Sequence, residues 1–196
     1  MSDSISIRLP DANITLFAGA SLARTLYDLP VDIWLTGALG AGKTTFLQGF
    51  AKGLGMTEQI TSPTFALEQR YSCKRLALSD KPIELIHIDL YRLGRKEAQE
   101  LIVSTDDHQG IRVVEWADRL ESEPSNPAIH IELTDSHSSE RDLKVTFSDI
   151  PLPSEEQIKQ WRFDVLLPEH ITAHCDAVAS FAVQLGEKLA KQGHIL

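Results

Sequence analysis

Cysteine is scarce in this chain. Its two cysteines, Cys73 and Cys175, are too few and too far apart in sequence to form a disulfide framework, so reduced thiols in a reducing cytoplasm are the expectation. Long apolar runs are absent too. No 18 consecutive apolar residues occur, and the opening MSDSISIRLP lacks a basic segment followed by an apolar one, so neither a membrane span nor an export signal is read. Basic residues are in deficit, with 19 Lys and Arg against 28 Asp and Glu and a net charge of -9. The deficit is uneven: residues 1–95 carry ten basic against nine acidic side chains, and residues 96–196 nine against nineteen. Such a chain repels phosphate backbones, which argues against stand-alone nucleic-acid binding but leaves room for a partner that itself holds RNA.

What is present is ordinary for a folded protein. Hydrophobic residues make up 42% and charged residues 24% of 196 positions, with no low-complexity tract or solenoid-length repeat. Folding a chain of this length removes roughly 70% of the unfolded surface from water, enough for one substantial core. One domain with an appendage follows.

Hydrophobic patterning sets the order of elements. ISIRL at 5–9 alternates as a short strand; Asp11 or Asn13 then caps a helix with apolar Leu16, Ala20, Ala23 and Tyr27, stopped by Pro30. VDIWLT (31–36) reads as a buried strand, and TTFLQGFAKGL from 44 as a helix ending at Gly55. FALEQRY (65–71) reads as a strand, with another near 75–78, then IELIHID, a short helix over EAQELI (97–102), and a strand over IRVVEW (111–116). AIHIEL (128–133) and DLKVTF (142–147) form an antiparallel pair. Alternation of strands and helices, closed by a hairpin, predicts an α/β sandwich with a mixed central sheet. The domain spans 1–149; from 150 a Pro-rich, acidic connector leads to an amphipathic helix with Ile171, Cys175, Val178, Ala182, Leu185 and Leu189 on one face, expected to dock on the domain.

The chemistry begins at GALGAGKT (37–44). It matches G-x-x-x-x-G-K-[ST] and lies between a predicted strand and a predicted helix, the context a phosphate loop requires. Glycines let the backbone curl so that successive N–H groups face phosphate oxygens. Lys43 is placed to reach the β and γ oxygens, and Thr44 to offer its hydroxyl to Mg²⁺. No N-K-x-D stretch selects guanine and no LSGGQ-like signature occurs, so ATP is the expected nucleotide. A small-molecule kinase usually needs an arginine-bearing lid, and Arg92, Arg95, Arg112 and Arg119 form no such long lid.

A phosphate-loop site also needs a carboxylate at a neighbouring strand end to hold Mg²⁺. Asp89 ends IELIHID and Glu115 ends IRVVE, and on spacing the two tie. His87 reads as a packing or hydrogen-bonding element, and His170 and His174 of HITAHC as a solvated helix start.

GALGAGKTTF, TSPTFALEQRY, HIDLYRL and VVEW, in this order and at these separations, resemble the TsaE (YjeE) family of bacterial ATPases in tRNA threonylcarbamoyladenosine biosynthesis. The resemblance covers about residues 5–147 and implies a three-layer phosphate-loop NTPase fold. It further implies that Leu39, Gly40, Ala41, Gly42, Lys43, Thr44 and Thr45 hold ATP, and that Thr44 and Glu115 hold Mg²⁺. Asp89 is then the aspartate beside the γ-phosphate that orients the attacking water. Ser62, Pro63 and Thr64 match a switch-like SPT loop facing nucleotide and partner, and Trp116 the tryptophan beside the magnesium glutamate. Ala12, Glu140 and Arg141 match positions lining the ATP base or phosphates. Tyr91 and Arg92 stay open between catalysis, core or ion pairing, and partner contact.

The chain departs from the family pattern at Ala38, in the segment ELIVSTDDHQGI before Val113, and in its extra length beyond about 150. The implied function is an ATP-hydrolysing subunit that acts on a TsaB-TsaD heterodimer and meets tRNA only through that complex. Two other classes compete: an assembly module for which nucleotide binding suffices, and a free-standing small-molecule kinase.

Overall fold

The computed structural model describes residues 3–26, 28–63, 66–73, 82–124, 126–136, 140–150 and 153–191. Among these residues seven strands form one sheet: β1 (Asp3–Leu9), β2 (Val31–Thr36), β3 (Glu68–Cys73), β4 (Ile83–Asp89), β5 (Ile111–Glu115), β6 (Ala128–Asp135) and β7 (Arg141–Ser148). Their spatial order is β1-β7-β6-β2-β5-β4-β3. Pairings of β2 with β5 and β6, and of β4 with β5, are parallel; the remaining three are antiparallel. The mixed sheet and its closing β6/β7 hairpin match the sequence pattern. VDIWLT and IRVVE become the central strands because apolar side chains on both faces can be covered only from both sides; all of β5 and the first five residues of β2 are buried.

Helices α1 (Ala12–Thr25) and α2 (Lys43–Gly53) cover one face, closing a core that includes Ile33, Leu35, Phe46, Phe50, Leu85 and Val113. Helix α3 (Arg95–Ser104) and a 3₁₀ turn over Ala117–Arg119 cover the other, around Trp34, Ile86, Ile88, Ile102 and Val114. Asp11 caps α1, its Oδ1 accepting from Ile14 N at 2.9 Å, which decides between the two cap candidates. Helix α2 ends in a Schellman motif: Gly55, at φ 77, donates to Lys52 O and Met56 N to Ala51 O. Glu97 accepts from Gly94 N at 3.0 Å and so fixes the start of α3.

Three sequence expectations shift. The strand expected from 65 begins at Glu68, because Leu67 is left-handed (φ 63) and its N–H turns back to Pro63 O. The helix expected over 97–102 runs two residues further at each end. The strand expected to reach Trp116 stops at Glu115, since Trp116 sits at φ 62. The strand near 75–78, Tyr27 and Thr64 lie outside the described residues.

The chain divides into two compact units after about residue 151. The second contains α4 (Glu155–Asp164), where the sequence reads as a connector, and α5 (Glu169–Lys191). Helix α4 forms on a capping box, with Gln157 N donating to Ser154 Oγ and Ser154 N to Gln157 Oε1. Arg162 of α4 pairs with Asp176 of α5 at 2.6 Å. Among the described residues no helix is long and apolar enough to cross a membrane.

Candidate functional site

The loop from Gly37 to Gly42 joins the central strand β2 to α2, so its backbone leaves the C-terminal end of the sheet. Gly37, Gly40 and Gly42 all hold positive φ there, and two of them show why. Gly37 (φ 139) runs so close to β6 that a Cβ would lie 2.2 Å from Leu133 O, and Gly42, the α2 cap, holds φ 101. Without a capping side chain at Gly42, the first-turn N–H groups of α2 stay available to an anion, and the helix dipole adds positive potential.

Lys43 is 5% exposed. Its Nζ donates to Gly37 O at 2.8 Å and Ala38 O at 3.0 Å, and it lies 3.9 Å from the centre of the Trp116 ring. Trp116 in turn stacks obliquely on Tyr91, centroids 4.8 Å apart. Burial holds the lysine's pKa below its ordinary value, although Glu115, Asp89 and Asp118 pull it upward. A partly desolvated ammonium held by neutral carbonyls and an aromatic face is poised to gain from a phosphate's negative charge.

Both strand-end acids reach this place. Strands β4 and β5 pair in a register that sets Asp89 beside Glu115, and both side chains are 3% exposed. Asp89 Oδ2 accepts from Ser62 Oγ at 2.8 Å and Oδ1 from Tyr91 N at 2.9 Å, while Glu115 Oε1 contacts His87 Nε2 at 3.0 Å. Asp89 N also donates to Leu67 O, so the segment after Ser62 is tied to the end of β4 through backbone and side chain.

A cavity of about 400 Å³ is lined by Leu39, Gly40, Gly42, Lys43, Thr44, Thr45, Ser62, Asp89, Tyr91, Glu115 and Trp116. A second, of about 280 Å³, shares Gly40, Gly42 and Thr45 and extends to Pro10, Asp11, Ala12, Thr15 and Arg141. Arg141 Nη2 lies 3.5 Å from Gly40 O and its Nε 3.5 Å from Asp135. The remaining candidates stand apart from these walls. Ala41 is buried in the core, Pro63 is buried, Arg92 is exposed, and Glu140 faces Arg8 at 3.9 Å. No sequence motif points to Asp11 and Thr15 at the second cavity, although Asp11 reads as a helix cap and Thr15 follows one turn later.

Thr44 and Glu115 offer oxygen donors on one cavity wall, the donor chemistry that suits Mg²⁺. Among the described residues no group of three or more His, Cys, Asp or Glu is placed to hold a metal ion, His170 and His174 included.

Fold and site together define a phosphate-loop protein of the mixed-sheet α/β class. Residues 9–143 match the family described as threonylcarbamoyl adenosine biosynthesis protein TsaE, and the chain belongs to that family. Similar proteins include the tRNA threonylcarbamoyladenosine biosynthesis protein TsaE of Synechocystis, 40% identical over 63% of this chain and 76% of that one. The Nostoc protein of the same name is 39% identical over 71% and 84%, and that of Bacillus subtilis 37% identical over 57% and 66%. The crystal structure of Bacillus subtilis YdiB superposes with a TM-score of 0.55 at 27% identity, covering 75% of this chain and 87% of YdiB.

Proposed function

We propose that this chain binds and hydrolyses ATP as the energy-using subunit of tRNA threonylcarbamoyladenosine formation, acting on a TsaB-TsaD heterodimer. One observation carries the reading: the phosphate loop, its lysine and two strand-end carboxylates line a single cavity. Family membership supplies the pathway. The acidic composition agrees with contact to tRNA through partners rather than directly.

In this reading the triphosphate replaces the loop carbonyls as the partner of Lys43, and the N–H groups at the start of α2 hold the phosphate oxygens. Arg141, Ala12 and Thr15 border the base end. Thr44 and Glu115 would hold Mg²⁺, which when bound neutralises charge on the β- and γ-phosphates. Asp89 accepts a hydrogen bond from the attacking water, whose oxygen bonds to Pγ as the bond to the β-phosphate oxygen breaks; ADP leaves, and the proton the water gives up passes through Asp89 to the departing phosphate or solvent. Tyr91 and Trp116 shield that water from bulk solvent. Ser62, bonded to Asp89, carries the state of the γ-phosphate into the segment that follows it, where a protein partner reads it.

The test is reconstitution. With TsaB, TsaD and tRNA present, Lys43→Ala is expected to abolish ATP turnover and to halt modification after the first round. Normal multiple-turnover modification by that variant would overturn the proposal. Pull-downs with and without ATP check the partnership, and failure to recover TsaB and TsaD under both conditions would remove it.

A further inference from the structure

His87 belongs to the motif around Asp89, yet the chemistry above gives it no task. It is fully buried at 0% exposure, within hydrogen-bonding distance of one carboxylate. We propose that His87 is a positioning residue for Glu115: its Nε2–H holds the Glu115 carboxylate in the orientation that serves the metal. The inference rests on the reading of Glu115 as a magnesium ligand.

The argument starts from the sheet. In the β4/β5 register Asp89 lies directly beside Glu115, and His87 beside Val113, so the three polar side chains project from the same face. Two adjacent carboxylates repel, and a glutamate has three torsions through which to escape. Separate donors keep them apart in function. Ser62 Oγ and Tyr91 N hold Asp89, whereas His87 Nε2 holds Glu115 at 3.0 Å from two residues back along β4. Water cannot replace that donor easily, because both side chains are almost wholly buried.

The other ring nitrogen fixes the tautomer. His87 Nδ1 is buried without a hydrogen-bond partner among the described residues. A bare lone pair there costs less than an unpaired N–H, so the proton belongs on Nε2, facing Glu115. Outer-shell hydrogen bonds of this kind orient metal-ligating carboxylates, and losing one typically weakens metal affinity 10–100-fold.

The experiment measures Mn²⁺ binding by electron paramagnetic resonance on the full chain loaded with ADP. It compares the parent, Glu115→Gln, His87→Leu and His87→Gln. Glu115→Gln should lose Mn²⁺ affinity, which tests the metal site itself. His87→Leu should weaken Mn²⁺ about 10–100-fold while metal-free ADP binding stays at the parent level. In His87→Gln the amide nitrogen takes the place of the imidazole Nε2, and affinity should return close to the parent value. His87→Leu indistinguishable from the parent, beside a weakened Glu115→Gln, overturns this proposal alone. Equal losses in His87→Leu and His87→Gln do the same. Unchanged affinity in Glu115→Gln overturns the metal-site reading, and this proposal with it. Imidazole ¹⁵N resonances of the parent give a readout that needs no variant to fold: Nε2–H is expected, and a proton on Nδ1 overturns the assignment.

Discussion

At the scale of single residues, the site is a set of charges each held by a neutral neighbour. Lys43 rests on two carbonyls and a tryptophan ring, and Asp89 on a serine hydroxyl and a backbone N–H. Asp89→Asn tests the role of the carboxylate without dismantling its surroundings. An asparagine keeps an acceptor for Tyr91 N, and its amide can donate to Ser62 Oγ, so the local geometry should persist. What is lost is the ionised acceptor for the attacking water. Single-turnover hydrolysis should fall by about 10²–10⁴-fold, the usual worth of a positioned base, while ATP affinity measured by calorimetry changes little. Modification that survives this loss would favour a binding switch over a hydrolysis-driven cycle. The roles of these residues were only partly legible in the sequence. Motif spacing brought Asp89 and Glu115 to the same end of the sheet but left them tied. Only the family resemblance separated them there; the structure adds that their hydrogen-bond partners differ, Ser62 and Tyr91 for Asp89 and His87 for Glu115, contacts that exist only once β4 and β5 pair in register.

At the scale of elements, the α1/α2 crossing links the two neighbouring cavities that share Gly40, Gly42 and Thr45. Helix α1 begins at the second cavity, and α2 begins at the phosphate loop. Their separation is set by glycine. A Cβ on Gly49 would lie 2.0 Å from Leu16 O, and one on Gly19 would lie 2.1 Å from Phe46 O, both backbone atoms that cannot swing away. Alanine at 49 gains about 1 kcal/mol of helix propensity. Overpacking costs about 1–3 kcal/mol, and more where backbone is the obstacle. Gly49→Ala is therefore expected to lose about 2 kcal/mol in urea unfolding and to weaken nucleotide binding by spreading Ala12 and Thr15 from Gly42. Gly94→Ala is the control, since its Cβ meets nothing nearer than Glu97 Oε2 at 3.5 Å and should cost well under that amount. Most elements were readable because their periodicity and caps agree, as with Asp11 and Gly55. Helix α4 was not, because prolines and acids dominate its approach, although the S-x-x-Q of its capping box was present in the sequence. The start of β3 escaped for a different reason: no local pattern announces a leucine in the left-handed region.

At the scale of the whole sheet, its two ends are built on opposite principles. The C-terminal end gathers carboxylates and a lysine around a cavity, whereas the N-terminal end of β2 and β5 closes on a buried ion pair with its bonds made. Arg112 Nε and Nη2 donate to Asp32 at 2.8 and 2.7 Å, and Arg112 also reaches Ile102 O, Thr105 Oγ1 and Asp106. His108 Nε2 and Asn126 Nδ2 complete the shell of Asp32, at 2.9 and 3.3 Å. These groups tie α3 to the sheet, and they come largely from residues 102–108, at the end of α3 and just after it. Burial alone would raise the pKa of Asp32. Hydrogen bonds and charge from His108 and Arg112 more than reverse that, and the carboxyl ends below its ordinary value. The folded state therefore holds fewer protons than the unfolded chain between the depressed value and about pH 4, so this contribution is complete above that range and is lost as the pH falls through the folded value. Arg112→Met leaves a buried carboxylate without its principal partner and should cost about 3–5 kcal/mol at pH 7. That penalty should shrink as the pH falls and Asp32 takes up a proton, because the buried charge is then gone, so the acid limb becomes shallower than the parent's. Replacing both partners, Asp32→Leu with Arg112→Met, removes the unpaired charge; stability at pH 7 should recover most of that loss and become less dependent on pH below 5. Urea unfolding of the three proteins at intervals from pH 7 to pH 3 measures both effects. Parallel acid limbs in the parent and the double variant would show that the loss of stability in acid originates elsewhere in the fold.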